Sequence, residues 1–515
     1  MNPPMSVRVR YAPSPTGSPH VGNIRTALYN HLFAKKHGGV NILRIEDTDR
    51  TRYVEGCEED IIESLRYVGV EWQEGLDVGG SHGPYRQSER KEAGIYQEVI
   101  DRLLNDGIGY WAFDTPEELT EMREFQQINK KPTGYFGGMW RDASESQVAA
   151  AKAKGKPGVI RLRIPRDTTI VVQDVIRGRL EFDSNTVDDP VLIKADGMPT
   201  YHFAAMVDDH YMEITHVFRG EEWISSAPKH VVLIESLGWT VPELVHLPVI
   251  KGKDGSKLSK RHGDTACLDF RRAGYLGDAL ANFIALIGWA PGGDREIMSM
   301  EEMCDAFDLK GIQPSSGIFD IDKLNWMTGS RIRAISVPEL FDRAVEYATS
   351  QEAADYWTKK SAEDESAKQT IEDLARFASA AAADPDYVRQ AVELEQERVG
   401  SLADFGSACA FFLMDEPPVD EKSVAKWKGQ AHIKPMLEHF IAEIEKTDSV
   451  TVESCEAMIR EYAASAGIEK LGPIVHPVRI ALTGKSVGPG LWQLMAVLGK
   501  ERLLARFRRN LGLFD

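Results

Sequence analysis

Two short segments of this 515-residue chain carry the residue types that phosphate chemistry needs. The first, Tyr11 to Asn23, reads YAPSPTGSPHVGN and ends in His20, Gly22 and Asn23 just ahead of a helical pattern. A helix N-terminus offers free N–H groups and a partial positive charge, so it becomes an anion site wherever the preceding loop lets a ligand approach. Glycines in that loop remove Cβ bulk and prolines restrict its wandering, while His20 and Asn23 bring polar side chains to the helix mouth. The second segment, Lys251 to Asp264, reads KGKDGSKLSKRHGD and holds five lysines and arginines, three glycines and two serines. A flexible cationic loop of this kind can wrap a polyphosphate. It is not a P-loop, because the Gly-x-x-x-x-Gly-Lys-Ser/Thr spacing is absent. Taken singly, each segment also reads as a plain connection or a solvated charged loop; their occurrence together is what points to a nucleotide.

The elements that must position them follow from hydrophobic periodicity. VRVRY alternates as a strand, and the next segment places Ile24, Ala27, Leu28, His31 and Leu32 on one helical face before Gly38 and Gly39 stop it. VNILRIED then reads as a buried strand ending in acidic residues. Strand, loop, helix and parallel strand make a βαβ unit, with the His20 loop at the carboxyl end of the first strand, where ligands of such sheets sit. A helical pattern from about Gln87 to Leu104 precedes a Gly- and Pro-rich mixed segment, Gly107 to Pro190, expected as an inserted α+β unit. PVLIKADG and THVFRGEEW are expected to resume the parallel sheet, and from about Leu276 onward Ala, Glu and Leu at helical spacing dominate. The fold class is therefore α/β: a Rossmann-like parallel-sheet domain with an α+β insertion, followed by a mostly α-helical C-terminal half. The expected boundaries are 1–106 and 191–240 for the sheet domain, 107–190 for the insertion, 241–325 for the region bearing the lysine loop, and 326–515 for the helical region.

Bulk composition narrows the functional classes. Apolar residues are 43% and charged residues 27% of the chain, an ordinary globular balance. A formal charge of −18 argues against indiscriminate coating of nucleic acid, although local basic patches can still hold one. The five cysteines are far apart, so neither a disulfide framework nor a Cys-x-x-Cys metal site is built from neighbours. No apolar h-region opens the sequence, and the longest apolar run, ALANFIALIGWA, is too short to span a bilayer. A cytoplasmic protein without membrane contact is expected.

HVGN (His20 to Asn23) and KLSKR (Lys257 to Arg261) resemble the two signatures of class I aminoacyl-tRNA synthetases. RYAPSPTG, RIEDTDR, GPYRQSER, PTYHFA, FRGEEW and HPVRIALTG extend the resemblance over essentially the whole chain, to the glutamyl-tRNA synthetases of bacterial type. The resemblance implies a glutamate-tRNA ligase: ATP and glutamate form glutamyl-adenylate, and the acyl group then passes to the terminal adenosine of tRNA(Glu), with the 2′-hydroxyl as expected acceptor. ATP would be held by His20, Gly22, Asn23, Leu258, Ser259, Lys260 and Arg261, with His20, Lys257 and Lys260 catalytic and Mg²⁺ accompanying the nucleotide. The nucleophile is the substrate's own carboxylate, so catalysis rests on placement and charge stabilisation. Glutamate carries two carboxylates and one ammonium, and the family pattern supplies Arg10, Arg219 and Glu46, with Tyr201 and Ser14 as hydroxyl donors. Which arginine takes which carboxylate is open.

The resemblance has departures. Ala205 stands where some relatives carry an asparagine, so any amide contact there is lost or replaced. Gly107 to Pro190 contains no cysteine, so no structural zinc is expected. VDDH (Val207 to His210) reads as helix-end polarity supporting the site, since consecutive residues do not easily converge on one ion. For the RNA, the inserted unit would take the acceptor end and the helical half the anticodon, with Arg398, Arg479, Pro489 and Leu491 as matched contacts. The expected protein is a monomer. An enzyme that also charges tRNA(Gln) is the alternative within the family. A truncated relative acting on a modified nucleoside of tRNA(Asp) is disfavoured by the roughly 190 residues after Leu324. A non-catalytic RNA scaffold would not need both His20 and Lys260.

Overall fold

The computed structural model describes residues 6–259 and 263–515, and the chain divides into two compact units, Met1–Leu268 with Leu280–Asp320, and Asp269–Ala279 with Ile321–Asp515. In the first unit β1 (Arg8–Tyr11), β2 (Val40–Leu43) and β3 (Glu74–Gly75) form a parallel sheet in the order β1-β2-β3. Between β1 and β2 runs α1 (Val21–Lys36), buried along most of its length, with Lys35 and Lys36 in the last turn where cations complement the helix dipole. The expected strand, loop, helix and parallel strand are thus all present.

β4 (Gly109–Ala112) and β5 (Val159–Leu162) pair antiparallel. The hairpin β6 (Thr169–Asp174) and β7 (Gly178–Asp183) follows. β8 (Val191–Ile193) lies antiparallel on β5, whereas β9 (His216–Gly220) and β10 (Glu243–Leu247) are parallel to each other and β10 is parallel to β6. Two assignments from sequence are corrected here. PVLIKADG does not resume the parallel sheet but closes the antiparallel one, and TIVVQD leaves the inserted segment to join β10. Both are short apolar runs, and period-2 burial is the same whichever partner strand is supplied by the rest of the chain. The expected Gln87–Leu104 helix is also two, Gln87–Glu92 and Ile95–Asn105, broken at Gly94 with φ 77°.

The two parallel sets meet at Thr215. Its N–H donates to the Arg8 carbonyl at 2.9 Å and its Oγ1 accepts the Arg8 N–H at 3.0 Å. Set side by side through β1 and β9, the two sheets run β3-β2-β1-β9-β10-β6-β7, and the winding of the chain reverses between β1 and β9. In an open α/β sheet such a reversal leaves a crevice outside the carboxyl ends of the two flanking strands. β11 (Ile250–Lys251) and β12 (Gly317–Ile318) form a separate parallel pair. The second unit is helical throughout its described elements and buries its own apolar core, which includes Leu340, Phe377, Phe405, Met436, Phe440, Leu494 and Phe507. All five cysteines are free and buried, and no helix among the described residues is long and apolar enough to cross a membrane.

Candidate active site

The carboxyl ends of β1 and β9 carry charged residues expected from sequence. Arg10 stands near the end of β1, 3% exposed, and Arg219 near the end of β9, 5% exposed. Beyond the strand ends the β1–β2 ladder continues: the Arg44 N–H donates to the Tyr11 carbonyl at 3.0 Å and the Glu46 N–H to the Pro13 carbonyl at 2.9 Å. This pairing sets Glu46 beside the Pro13–Ser14 backbone, and Ser14 is exposed. Tyr201 opens the Tyr201–Tyr211 helix, its ring 4.2 Å from that of Trp223.

Sequence reasoning gave VDDH a supporting place without naming what it holds. Asp209 Oδ1 accepts from Arg10 Nε at 3.0 Å and lies 2.8 Å from Arg44 Nη1, while Arg44 Nη2 donates to Glu46 at 3.0 Å. Asp208 accepts from Arg90 Nε at 2.6 Å, Gln87 Nε2 at 2.8 Å and the Tyr96 hydroxyl at 3.0 Å. VDDH therefore does support the site from behind, as read from sequence, and what it holds is arginines. Arg44 was also legible in RIED, because residues i and i+2 of a strand share a face. Burial works against the Arg44 charge, but Asp209, Glu46 and Asp208 outweigh it and raise its pKa. Burial pushes the Glu46 carboxyl up against the pull of Arg44 and Arg10, so an additional cation would be welcome there. Burial likewise raises Tyr201 and keeps its hydroxyl a proton donor.

His20 caps α1. Its Nδ1 accepts the Gly22 N–H at 3.0 Å, with His20 in extended backbone. A Cβ on Gly22 would meet His20 Cε1 at 2.9 Å and Nδ1 at 3.1 Å, so glycine is what lets the ring fold over the helix mouth. His20 as a residue is exposed, yet lost hydration around its ring and the Lys257 charge lower its pKa against the influence of Glu222. Asn23 continues the same first turn, its N–H donating to the His20 carbonyl at 2.9 Å.

The lysine segment is tied to this mouth. The Val21 N–H donates to the Thr265 carbonyl and the Cys267 N–H to the Pro19 carbonyl, both at 2.9 Å, so the exit of the segment pairs with the His20 loop. Its entrance is fixed where the Leu258 N–H donates to the Ile250 carbonyl at 2.9 Å and Lys257 bridges Lys251. Lys257 and Ser259 are exposed and Leu258 is half-buried; Lys260 and Arg261 lie outside the described residues. Ala205, on the inner face of the Tyr201–Tyr211 helix, is fully buried in the core. Among the described residues no group of three His, Cys, Asp or Glu side chains could hold a metal ion.

In the second unit Arg398 Nε pairs with Glu395 at 2.9 Å, and Arg479 Nη1 donates to the Pro489 carbonyl at 2.5 Å. Burial and the nearby Arg398 lower the Arg479 pKa, while Glu395 opposes them, so three of the four expected anticodon contacts gather in one basic cluster. The Leu491 side chain is instead buried in the unit's core.

A family profile described as tRNA synthetases class I (E and Q), catalytic domain, matches residues 6–326, and one described as anticodon binding domain matches residues 365–511. The chain is 40% identical over 516 residues to a glutamate–tRNA ligase of Prosthecochloris aestuarii, covering 98% of this chain and 97% of that one. It is 41% identical over 501 residues to a glutamate–tRNA ligase of Dehalococcoides mccartyi, covering 97% and 96%. Among solved structures, a glutamate tRNA ligase from Elizabethkingia meningosepticum in complex with its amino acid superposes with a TM-score of 0.84 at 35% identity, covering 99% of this chain and 100% of that one.

Proposed function

We propose how this chain, which belongs to the glutamate–tRNA ligases of the class I synthetase family, divides its reaction among these residues. Arg10 and Arg219 take the two carboxylates of glutamate and Glu46 takes its ammonium, with the Tyr201 and Ser14 hydroxyls completing the pocket. The observation that carries this reading is the pair of buried guanidiniums at the carboxyl ends of the two strands flanking the sheet's reversal, with a buried carboxylate beside them. A buried glutamate carboxyl raised in pKa gains most from an incoming ammonium.

ATP lies across α1's mouth, adenine toward Gly22 and Asn23, phosphates toward His20 and the segment Lys257 to Arg261. The α-carboxylate oxygen of glutamate attacks the α-phosphorus of ATP, the bond to the bridging oxygen breaks, and pyrophosphate leaves. Lys257 and Lys260 bear the growing charge on the leaving group, and a neutral His20 donates a hydrogen bond from Nε2 while Nδ1 stays committed to Gly22. The terminal 2′-hydroxyl of tRNA(Glu) then attacks the acyl carbon and AMP departs. Mg²⁺ would enter with the nucleotide, carried by its phosphates; no cluster of three acidic, His or Cys side chains among the described residues fits it as a resident ion.

Arg398, Arg479 and the Pro489 turn face the anticodon, with Leu491 contributing only main-chain contacts, and the enzyme acts as a cytoplasmic monomer. Aminoacylation with radiolabelled glutamate tests the reading. Charging of tRNA(Glu) is expected, and its absence overturns the assignment. Charging of tRNA(Gln) in a parallel reaction would identify the broader enzyme, which no feature of the site favours.

A further inference from the structure

Arg10 and Arg219 differ in how their charge is met. Arg10 is bound to the Asp209 carboxylate, whereas among the described residues the Arg219 guanidinium donates to imidazoles alone: its Nε to His246 Nε2 at 2.9 Å and its Nη1 to His230 Nδ1 at 3.0 Å. Its Nη2 is buried with no hydrogen-bond partner among the described residues. A guanidinium has five donors and no acceptor, so both ring nitrogens facing it must be unprotonated. His246 then carries its proton on Nδ1 and gives it to Asp174, 2.6 Å away. His230 carries its proton on Nε2 and gives it to His202 Nδ1, 3.0 Å away. One chain of five side chains, Asp174, His246, Arg219, His230 and His202, thus has every proton position dictated by the arginine at its centre.

We propose that His246 and His230 are positioning residues that hold Arg219 from two sides with neutral acceptors and so keep its charge for a carboxylate of the substrate. A carboxylate in either place would fix the fork equally well and spend that charge internally. Asp174 steadies the clamp from one imidazole away, where it orients His246 without touching Arg219. The inference rests on the reading of Arg219 as a glutamate ligand. The surroundings agree with neutral rings. Burial, Arg219 and Arg177 lower the His246 pKa against Asp174. Burial, Arg219, His202, His246 and Lys229 put His230 well below its usual value. His202 is pushed down to about 4 by burial, Lys229 and Arg219 against Asp188.

The test is steady-state charging of tRNA(Glu) by the full-length enzyme, with KM for glutamate and for ATP measured separately. Arg219→Lys should raise KM for glutamate about tenfold or more and leave KM for ATP in place. His246→Leu and His246→Glu should do the same, the first by releasing Arg219 and the second by neutralising it. His246→Gln, which keeps an acceptor near the Nε2 position, should recover most of the loss. If Arg219→Lys leaves KM for glutamate unchanged, the pocket reading itself falls. If Arg219→Lys acts but His246→Leu and His246→Glu do not, or if His246→Gln is as poor as His246→Leu, the clamp falls while the pocket stands. Long-range ¹H–¹⁵N spectra of the wild-type imidazoles decide the matter without any variant that must fold. His246 Nε2 and His230 Nδ1 should remain unprotonated from pH 6 to 8, and a proton on either overturns the proposal.

Discussion

Replacing Glu395 with glutamine should stabilise its surroundings, and should do so more at pH 8 than at pH 6. Glu395 is 2% exposed, with Oε2 on Arg398 at 2.9 Å and Oε1 buried with no hydrogen-bond partner among the described residues. Burial pushes its carboxyl up to about 7, and the opposing cations Arg398, Lys485 and Arg479 do not cancel this. A carboxyl raised on folding binds its proton more tightly in the folded state. Stability is therefore full below the ordinary value of 4.5, declines as pH rises, and levels off above about 7. Carrying the group from 4.5 to about 7 at 1.36 kcal/mol per unit of pKa sets the full cost at about 3 kcal/mol. Roughly 1.3 kcal/mol of it falls between pH 6 and 8, about tenfold in an opening equilibrium. Glu395→Gln removes the ionisation and retains an acceptor for Arg398. Hydrogen exchange in the Pro385–Glu395 and Asp404–Leu413 helices reads local opening, and comparing variant with wild type at one pH cancels the intrinsic exchange rate. The variant's extra protection should grow about tenfold from pH 6 to pH 8. A protection ratio that stays constant with pH would refute the account of a buried, partly uncompensated carboxyl.

Three other substitutions probe the catalytic unit. Gly22→Ala places a Cβ 2.9 Å from His20 Cε1, so it should displace the ring and lower the rate of adenylate formation, while circular dichroism shows the fold intact. Asp209→Asn takes the shared charge from Arg10 and Arg44; a loss of about 3–5 kcal/mol in unfolding free energy and a higher KM for glutamate are expected, read by urea denaturation and charging kinetics. Because Arg10 and Arg44 depress the Asp209 pKa, its contribution is complete above about pH 4 and is lost as pH falls through the lower folded value. Lys257→Ala should slow adenylate formation about tenfold to a hundredfold, measured in a single turnover, with KM for glutamate little changed.

What sequence revealed and what it missed divide along chain distance. His20, Gly22, Arg10, Glu46 and the lysine segment lie in short runs whose turn chemistry and strand alternation can be read locally, and the structure brings the two segments together through the Val21–Thr265 and Cys267–Pro19 pairings. The clamp of Arg219 could not be read that way. Asp174, His202, Arg219, His230 and His246 share no spacing: they come from three strands and two helices, and Asp174 joins them because β6 pairs with β10. Assigning TIVVQD to an inserted unit removed Asp174 from the pocket's surroundings, so one misplaced strand concealed the carboxylate behind His246 as well as the sheet order.

The arrangement also explains why so many buried charges are tolerated under one crevice. Asp208 and Asp209 each serve more than one guanidinium or neutral donor, so Arg10, Arg44 and Arg90 are compensated before any ligand arrives. Were Arg219 compensated in the same way, an incoming glutamate would find a pocket already neutral and would have to lose its hydration for little return. Were Arg219 left without acceptors, a buried cation would strain the empty enzyme. Neutral imidazoles lie between these limits: they satisfy two of the guanidinium's donors without cancelling its charge, and the net attraction for a carboxylate survives burial. On this account affinity for the amino acid is governed by the proton positions on two histidines that need not touch it.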